Sequence, residues 1–330
     1  MPEAVTVTIH RSQWPDKVRQ DLLHSLRARR LNHKFLYDSS RQTQKWLRLH
    51  EAYSPARRDA DCRAVYESSF QATAKLLSEA TRVQVLGLGC GGGQKDLRLM
   101  QLLQHENRAV FYAPCDVSTS MVLVACQTAL AALPAMNCYP VVCDLLSTSD
   151  LGDLFKAAPG SGASRIVTFF GMIPNFEPGA IVPQLASLLA RGDHLQFSAN
   201  LAPGPDYAFG MEKVLPLYDN ELTRDWLLTF LDDCGVARNA GQLRFVIEDC
   251  PNNSGLKRIA AYFQLRQRCS IHIDEDAVHF EAGESMRLFF SYRHTPSQIR
   301  DLLRQYGLQV LDQWITKSEE EGVFLCQRAP

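Results

Sequence analysis

Apolar positions along this chain change their spacing near residue 64 and again near residue 205. Before residue 62 the segment is charged and aromatic, with helical spacing over 14–30 and again over 42–50. From 64 onward, short apolar runs alternate with amphipathic stretches. The spacing predicts a helix over 64–81, a strand over 83–88, a helix over 95–104 and a strand over 109–114. A helix over 118–133 follows, with Ser118 placed to cap it, then a strand over 139–143 and a short helix over 151–158. The next expected elements are a strand over 165–170, a helix over 180–189 and a strand over 194–199. Strands that alternate with helices in this way predict a parallel, doubly wound α/β sheet.

The alternation stops after Pro203-Gly204-Pro205. A helix over 221–234 is followed by strands over 244–248, 258–266 and 286–291 whose spacing suits antiparallel pairing. A helix over 296–306 and strands over 309–315 and 323–327 close the chain, the two strands joined by the acidic turn Ser318-Glu319-Glu320-Glu321-Gly322. That hairpin suits the edge of the sheet. The expected division is therefore 1–62 with 205–293 as a second, α+β domain, and 63–204 with 294–330 as the doubly wound domain.

Composition narrows the class. The 330 residues are 46% hydrophobic and 22% charged, as in a folded enzyme-sized chain. The formal net charge of -1 points to neither nucleic acid nor an anionic membrane as partner. No apolar run reaches the ~20 residues that span a bilayer, and no signal-peptide pattern opens the chain. The ten cysteines include no C-x-x-C pair, which suits reduced thiols in a cytoplasmic protein. The absence of H-E-x-x-H or a paired Cys/His cluster argues against a metal site. A monomer or weak dimer that works on a small molecule is expected.

The chemistry concentrates at the end of the 83–88 strand, where five glycines (Gly87, Gly89, Gly91, Gly92, Gly93) precede Gln94-Lys95. A strand that stops at a glycine turn lets backbone approach a ligand, and the following helix aims its first N–H groups there. Gly87-x-Gly89-x-x-Gly92 matches the dinucleotide fingerprint literally, and Asp116 ends the next strand where a ribose-binding acid belongs. The same layout serves methyltransferases that bind S-adenosylmethionine. Asp144 after the third strand, the C-terminal hairpin and the lack of a Tyr-x-x-x-Lys pair favour the methyl donor over a nicotinamide. The alternative, that both acids merely cap their loops, is the weaker reading.

Several segments resemble a known family. Leu88-Gly89-Cys90-Gly91-Gly92-Gly93-Gln94-Lys95, Tyr112-Ala113-Pro114-Cys115-Asp116-Val117-Ser118 and Val142-Cys143-Asp144 are similar to the family of the histidine Nα-methyltransferase of ergothioneine biosynthesis. A fungal branch of that family methylates the α-amine of dimethylallyltryptophan. Phe35-Leu36-Tyr37-Asp38, Tyr53-Ser54-Pro55-Ala56-Arg57, Phe170-Gly171-Met172-Ile173-Pro174-Asn175-Phe176, Tyr218-Asp219-Asn220, and Gly283-Glu284 followed by Ser291-Tyr292-Arg293 extend the resemblance along nearly the whole chain.

The resemblance implies a class I methyltransferase fold, a Rossmann-like doubly wound sheet with an α+β substrate-binding domain. It places S-adenosylmethionine against Gly89, Cys90, Gly91, Lys95, Asp116, Val117, Asp144 and Leu145. Asp116 would bind the ribose, Asp144 the adenine, and Lys95 the donor's carboxylate. Asn175 and Tyr218 would hold the substrate carboxylate, Tyr37 and the backbone of Gly171 would orient the amine, Tyr53 would line the side-chain pocket with Asn175 nearby, and Ala261, Phe289 and Ser291 would also contact the substrate.

The chain departs from the family where a Glu grips the imidazole of histidine. Phe289 stands there, and Ala261 replaces a nearby Met. A phenyl ring accepts no hydrogen bond from imidazole, and the loss of a Met enlarges the pocket. Both changes favour a larger, less polar side chain such as an indole. The expected activity is N-methylation of the α-amine of an aromatic amino acid. Ring-atom methylation, strict histidine use, an NAD(P)-dependent oxidoreductase and a non-enzymatic binder are the alternatives.

Overall fold

The computed structural model describes residues 4–105, 108–134, 136–156, 158–160, 162–251 and 254–329. The chain forms two compact units. One comprises Met1–Ser12, Pro55–Leu201 and His294–Pro330, and the other Gln13–Ser54 and Ala202–Arg293.

The first unit is built on one sheet. Its strand order is Thr8–Ile9, Val141–Val142, Ala109–Asp116, Arg82–Leu88, Ser164–Phe170, His194–Asn200, Glu321–Arg328, Leu308–Ile315. Pairing is parallel up to His194–Asn200; Glu321–Arg328 then pairs antiparallel with it, and Leu308–Ile315 pairs antiparallel with Glu321–Arg328. Parallel strands need crossover helices on both faces, so their residues bury on both sides. Six of the seven residues of Arg82–Leu88 are buried accordingly. Phe155, Phe169 and Phe197 fill one face, while Tyr66, Phe70 and Leu99 pack on the other.

Four elements differ locally from the sequence reading. The 64–81 helix runs instead over Ala60–Leu76, because Asp59 caps it by accepting the Asp61 N–H at 2.8 Å. The single strand expected over 139–143 is two short ones, Asn137–Cys138 and Val141–Val142. Pro140 between them has no N–H to give the ladder. The short helix ends at Lys156; Ala157, within the expected 151–158, lies outside the described residues. The strand Thr8–Ile9 was not anticipated, since two residues carry no periodicity.

The second unit contains the helices Pro15–Arg27, Ser40–Tyr53, Tyr207–Val214 and Glu221–Asp233. Its antiparallel sheet has the order Ser285–Arg293, Lys257–Leu265, Gly241–Asp249. A hairpin pairs Cys269–Ile273 with Asp276–Phe280. The core here joins Leu26, Leu36, Trp226, Phe230, Phe263, Leu288 and Phe289. Each fully buried leucine contributes about 1.5–3 kcal/mol. Sequence reading missed the Tyr207–Val214 helix, whose cap is Asp206 just beyond the proline-rich break. It also missed the hairpin.

Candidate active site

In the first unit the Arg82–Leu88 strand ends in a turn where Gly89, Gly91 and Gly93 have φ of +59°, +50° and +74°. L-residues avoid this region, so glycine is required. Gly89 is also crowded: a Cβ there would lie 2.5 Å from the Met172 side chain. The glycine turn and the Gly171–Phe176 loop are thus in contact. Gly87 answers a different need. A Cβ on it would sit 2.2 Å from Asp96 Oδ2. The Asp96 carboxylate is buried beneath the turn, accepting from the Tyr112 hydroxyl at 2.8 Å and the Thr168 hydroxyl at 2.7 Å. Burial pushes its pKa up to about 6. The first glycine of the fingerprint is therefore a packing glycine.

Asp116 ends its strand with both carboxylate oxygens engaged. Oδ2 accepts from the Gly91 N–H at 3.3 Å and Oδ1 from the Ser118 N–H at 3.0 Å. The Cys90 N–H donates to the Cys115 carbonyl at 3.0 Å, so the turn is sewn to that strand end. Burial raises the Asp116 pKa to about 6, while the N–H groups of Ser118, Gly91 and Val117 oppose the rise. Asp144 sits one strand over, 8% exposed, with Oδ1 accepting from the Leu146 N–H at 3.1 Å. Its own N–H donates to the Ser12 hydroxyl at 3.0 Å, a partner that sequence reading missed. Val117 is half-buried beside Asp116, and Leu145 is a core side chain.

Lys95 opens the helix Gln94–His105, where a cation is unfavourable. The structure shows what answers it. Its Nζ donates to the Tyr66 hydroxyl at 2.6 Å and lies 3.9 Å from a Glu321 carboxylate oxygen. The Tyr66 hydroxyl in turn donates to Glu321. Burial lowers the Lys95 pKa, and the Glu321 charge works against that. Glu321 was read as part of an acidic turn, but it begins the last strand and is 8% exposed. The only hint in the sequence was the apolar run Val323-Phe324-Leu325 directly after it.

Gly171 has φ of +73°, and its N–H donates to the Ser198 hydroxyl at 2.8 Å. Asn175 ends the short turn Ile173–Asn175, half-buried, with its N–H on the Met172 carbonyl at 2.9 Å.

In the second unit Tyr37, Tyr218 and Phe289 belong to an aromatic wall. The Phe289 ring stacks on His33 at 5.0 Å and stands 5.8 Å from Trp226 and 6.2 Å from Tyr218. Tyr37 packs on Trp226 at 5.5 Å and Trp46 at 5.9 Å. The Phe290 N–H donates to His33 Nε2 at 3.1 Å, and burial drives the His33 pKa down to about 3, so this ring is neutral. Ala261 is the register partner of Phe289 on the neighbouring strand. Opposed residues share a face, so the small side chain leaves room beside the large one. Phe289 is 7% exposed and belongs to the core as much as to any pocket. The Tyr218 hydroxyl donates to the Ser291 hydroxyl at 2.9 Å. Tyr53 ends the Ser40–Tyr53 helix with 49% of its surface exposed.

The donor set can be tested against a nucleoside-type methyl donor. A glycine-rich turn, an acid at the end of the neighbouring strand and a lysine in the first helical turn suit a ribose and an anionic amino-acid tail. Among the described residues no cluster of His, Cys, Asp or Glu could hold a metal ion. No described helix is long and apolar enough to cross a membrane.

Comparison with known proteins finds likenesses in sequence and in structure. Residues 18–328 match the family model described as histidine-specific methyltransferase, SAM-dependent. The chain is 24% identical over 283 residues to the N-methyltransferase imqF of Aspergillus flavus, covering 83% of this chain and 73% of that one. It is 24% identical over 333 residues to histidine N-alpha-methyltransferase of Mycobacterium tuberculosis, covering 94% and 95%. Among solved structures, a putative methyltransferase from Thermobifida fusca aligns with a TM-score of 0.47 at 13% identity, covering 92% of this chain and 97% of that one.

Proposed function

Because the chain belongs to the family of histidine-specific, S-adenosylmethionine-dependent methyltransferases, we propose that it methylates the α-amine of a free aromatic amino acid or close derivative. The oxidoreductase alternative falls with family membership. The observation that carries the substrate reading is the wall around Phe289. Rings of His33, Trp226 and Tyr218 surround the position where the histidine enzymes are read to carry a glutamate. Relatives named as a histidine N-alpha-methyltransferase and as a fungal N-methyltransferase support an amine acceptor.

In this reading the first unit is the donor domain and the second the substrate domain. Gly89, Cys90, Gly91, Lys95, Asp116, Val117, Asp144 and Leu145 would hold the donor, which supplies a methyl group already activated on a sulfonium. The protein's own task is alignment and desolvation. Asp116 would take the ribose hydroxyls and Lys95 the carboxylate. Tyr37 and the Gly171 carbonyl would orient the amine with its lone pair free, and water would take its proton. Asn175 and Tyr218 would hold the substrate carboxylate, with Ser291 beside the Tyr218 hydroxyl, while Tyr53, Ala261 and Phe289 would meet the side chain. No strong general base is required, because an amine near its own pKa loses its proton to solvent. The ten free cysteines suit the cytoplasm, and a monomer or weak dimer suffices, since the proposal draws every role from one chain.

The test is a mass-spectrometric screen of the standard amino acids with S-adenosylmethionine. Methylated tryptophan, tyrosine or phenylalanine, with the label on the α-nitrogen, is expected. Preference for histidine, or a methyl group on a ring atom, overturns this reading. Tyr218→Phe is expected to raise the KM for the amino acid about tenfold, the loss of one charge-assisted hydrogen bond, with donor affinity unchanged. Steady-state kinetics in both substrates checks this.

A pH dependence follows from Asp116. Its pKa in the protein is about 6, so the carboxylate that would accept the ribose hydroxyls is charged above that value and protonated below. Affinity for S-adenosylhomocysteine is expected to fall as pH drops through about 6 and to level off above it. Calorimetry from pH 5 to 8 measures it, with Asp116→Asn as the flat control; a flat wild-type profile removes Asp116 from the ribose site.

A further inference from the structure

Behind the Tyr218–Ser291 pair stands a buried cation that no role above uses. Arg293 is 6% exposed, and its Nε–H donates to the Tyr218 hydroxyl oxygen at 3.1 Å. Its guanidinium carbon lies 5.4 Å from the centre of the Tyr218 ring. The backbone holds it there. Arg293 ends the Ser285–Arg293 strand, and its carbonyl accepts from the Tyr207 hydroxyl at 2.8 Å. The strand bulges between Arg287 and Phe289, and from Phe289 onward the residues alternate regularly. Phe289, Ser291 and Arg293 therefore share one face, the face that meets Tyr218.

Proton counting gives this trio a direction. Arg293 fills one lone pair of the Tyr218 oxygen. Tyr218 then gives its hydrogen to Ser291 Oγ. Ser291 is 1% exposed, and among the described residues no acceptor takes its own hydroxyl hydrogen. Reversing the bond between the hydroxyls only moves the spare hydrogen to Tyr218. Either way the trio carries one positive charge and one hydroxyl hydrogen without an acceptor. Buried donors of this kind seek an acceptor, and a cation behind them favours an anionic one.

We infer that Arg293 is a positioning residue for the substrate's carboxylate: acting through the Tyr218 hydroxyl, it makes the Tyr218–Ser291 pair select a free carboxylate over a neutral carboxamide. The inference rests on the amino-acid reading above and adds the residue that enforces the free acid. A hydrogen bond that passes charge on is stronger than a neutral one, so a carboxylate gains more here than an amide of the same shape. Arginine suits the place because Nε–H can hold the tyrosine while the rest of the guanidinium fork stays bonded elsewhere.

Calorimetry on protein saturated with S-adenosylhomocysteine tests it, with L-tryptophan and L-tryptophanamide as probes. Wild type is expected to prefer the acid by about tenfold or more. Arg293→Met should weaken acid binding while leaving amide binding nearly unchanged, so that the acid-to-amide ratio collapses toward one. Arg293→Lys should restore much of the ratio. Tyr218→Phe, which cuts the link and leaves the buried arginine in place, should collapse it as well, and keeps the test open if Arg293→Met folds poorly. Equal weakening of both probes in Arg293→Met, or no preference in wild type, overturns the inference and leaves the methyltransferase reading standing. Failure of wild type to bind either probe overturns the aromatic amino-acid reading, and this inference with it.

Discussion

Asp116→Ala is expected to weaken binding of S-adenosylhomocysteine by about a hundredfold or more. Two effects add. A carboxylate that accepts from ribose hydroxyls contributes about 1.5–3 kcal/mol per hydrogen bond, and two such bonds amount to about 3 kcal/mol or more. The same carboxylate also receives the Gly91 and Ser118 N–H groups, so its loss frees the turn that the donor would rest on. Asp116→Asn keeps one acceptor oxygen and should fall between the two. Calorimetry reads the affinity, and a melting curve of the ligand-free variant shows whether the fold survives. Unchanged affinity in Asp116→Ala would mean that the acid serves only its own loop.

Glu321→Leu is the second large effect, and it falls on stability. Its carboxylate lies 3.9 Å from Lys95 Nζ and accepts from the Tyr66 hydroxyl. The Cys62 thiol reaches its other oxygen at 3.5 Å. The side chains of Lys95 and Glu321 are 24% and 10% exposed, so little solvent screens the pair. Removing one partner of such a pair strands the other, which costs about 3–5 kcal/mol. Urea unfolding should show a loss of that order. Lys95→Met combined with Glu321→Leu should cost clearly less than the sum of the single changes, because no charge is then left alone. A loss below about 1 kcal/mol in the single variant would show that solvent reaches the site.

These two residues also show how far the sequence could be read. Asp116 was visible because strand, glycine turn, helix, strand and acid follow one another within a short stretch. Local order alone placed it. Glu321 was hidden because its partners, Lys95 and Tyr66, lie more than two hundred residues away, and the apolar run after it is the one nearby hint of burial. Arg293 was quoted only as part of a family segment. Its relation to Tyr218 needs the strand to alternate regularly after the bulge, and a bulge is invisible to a periodicity of two.

Gly87 makes the same point from the other side. By pattern it opens a dinucleotide fingerprint, yet in space it makes way for the Asp96 carboxylate. The spacing of the glycines cannot say which atoms each must admit. Gly89 can be read as a close-approach position from sequence, but that Met172 is what approaches it is a fact of the fold.

The amino-acid sequence by itself determined the doubly wound sheet and a glycine turn with Asp116 and Asp144 after successive strands. Those features arise from contacts close along the chain, where hydrophobic period, glycine and capping residues act directly. Only the tertiary structure decided which charges answer one another, which ring stacks on Phe289 and which cation stands behind Tyr218. Such pairings join residues far apart in the chain, and their strength depends on burial, which no single stretch of sequence carries.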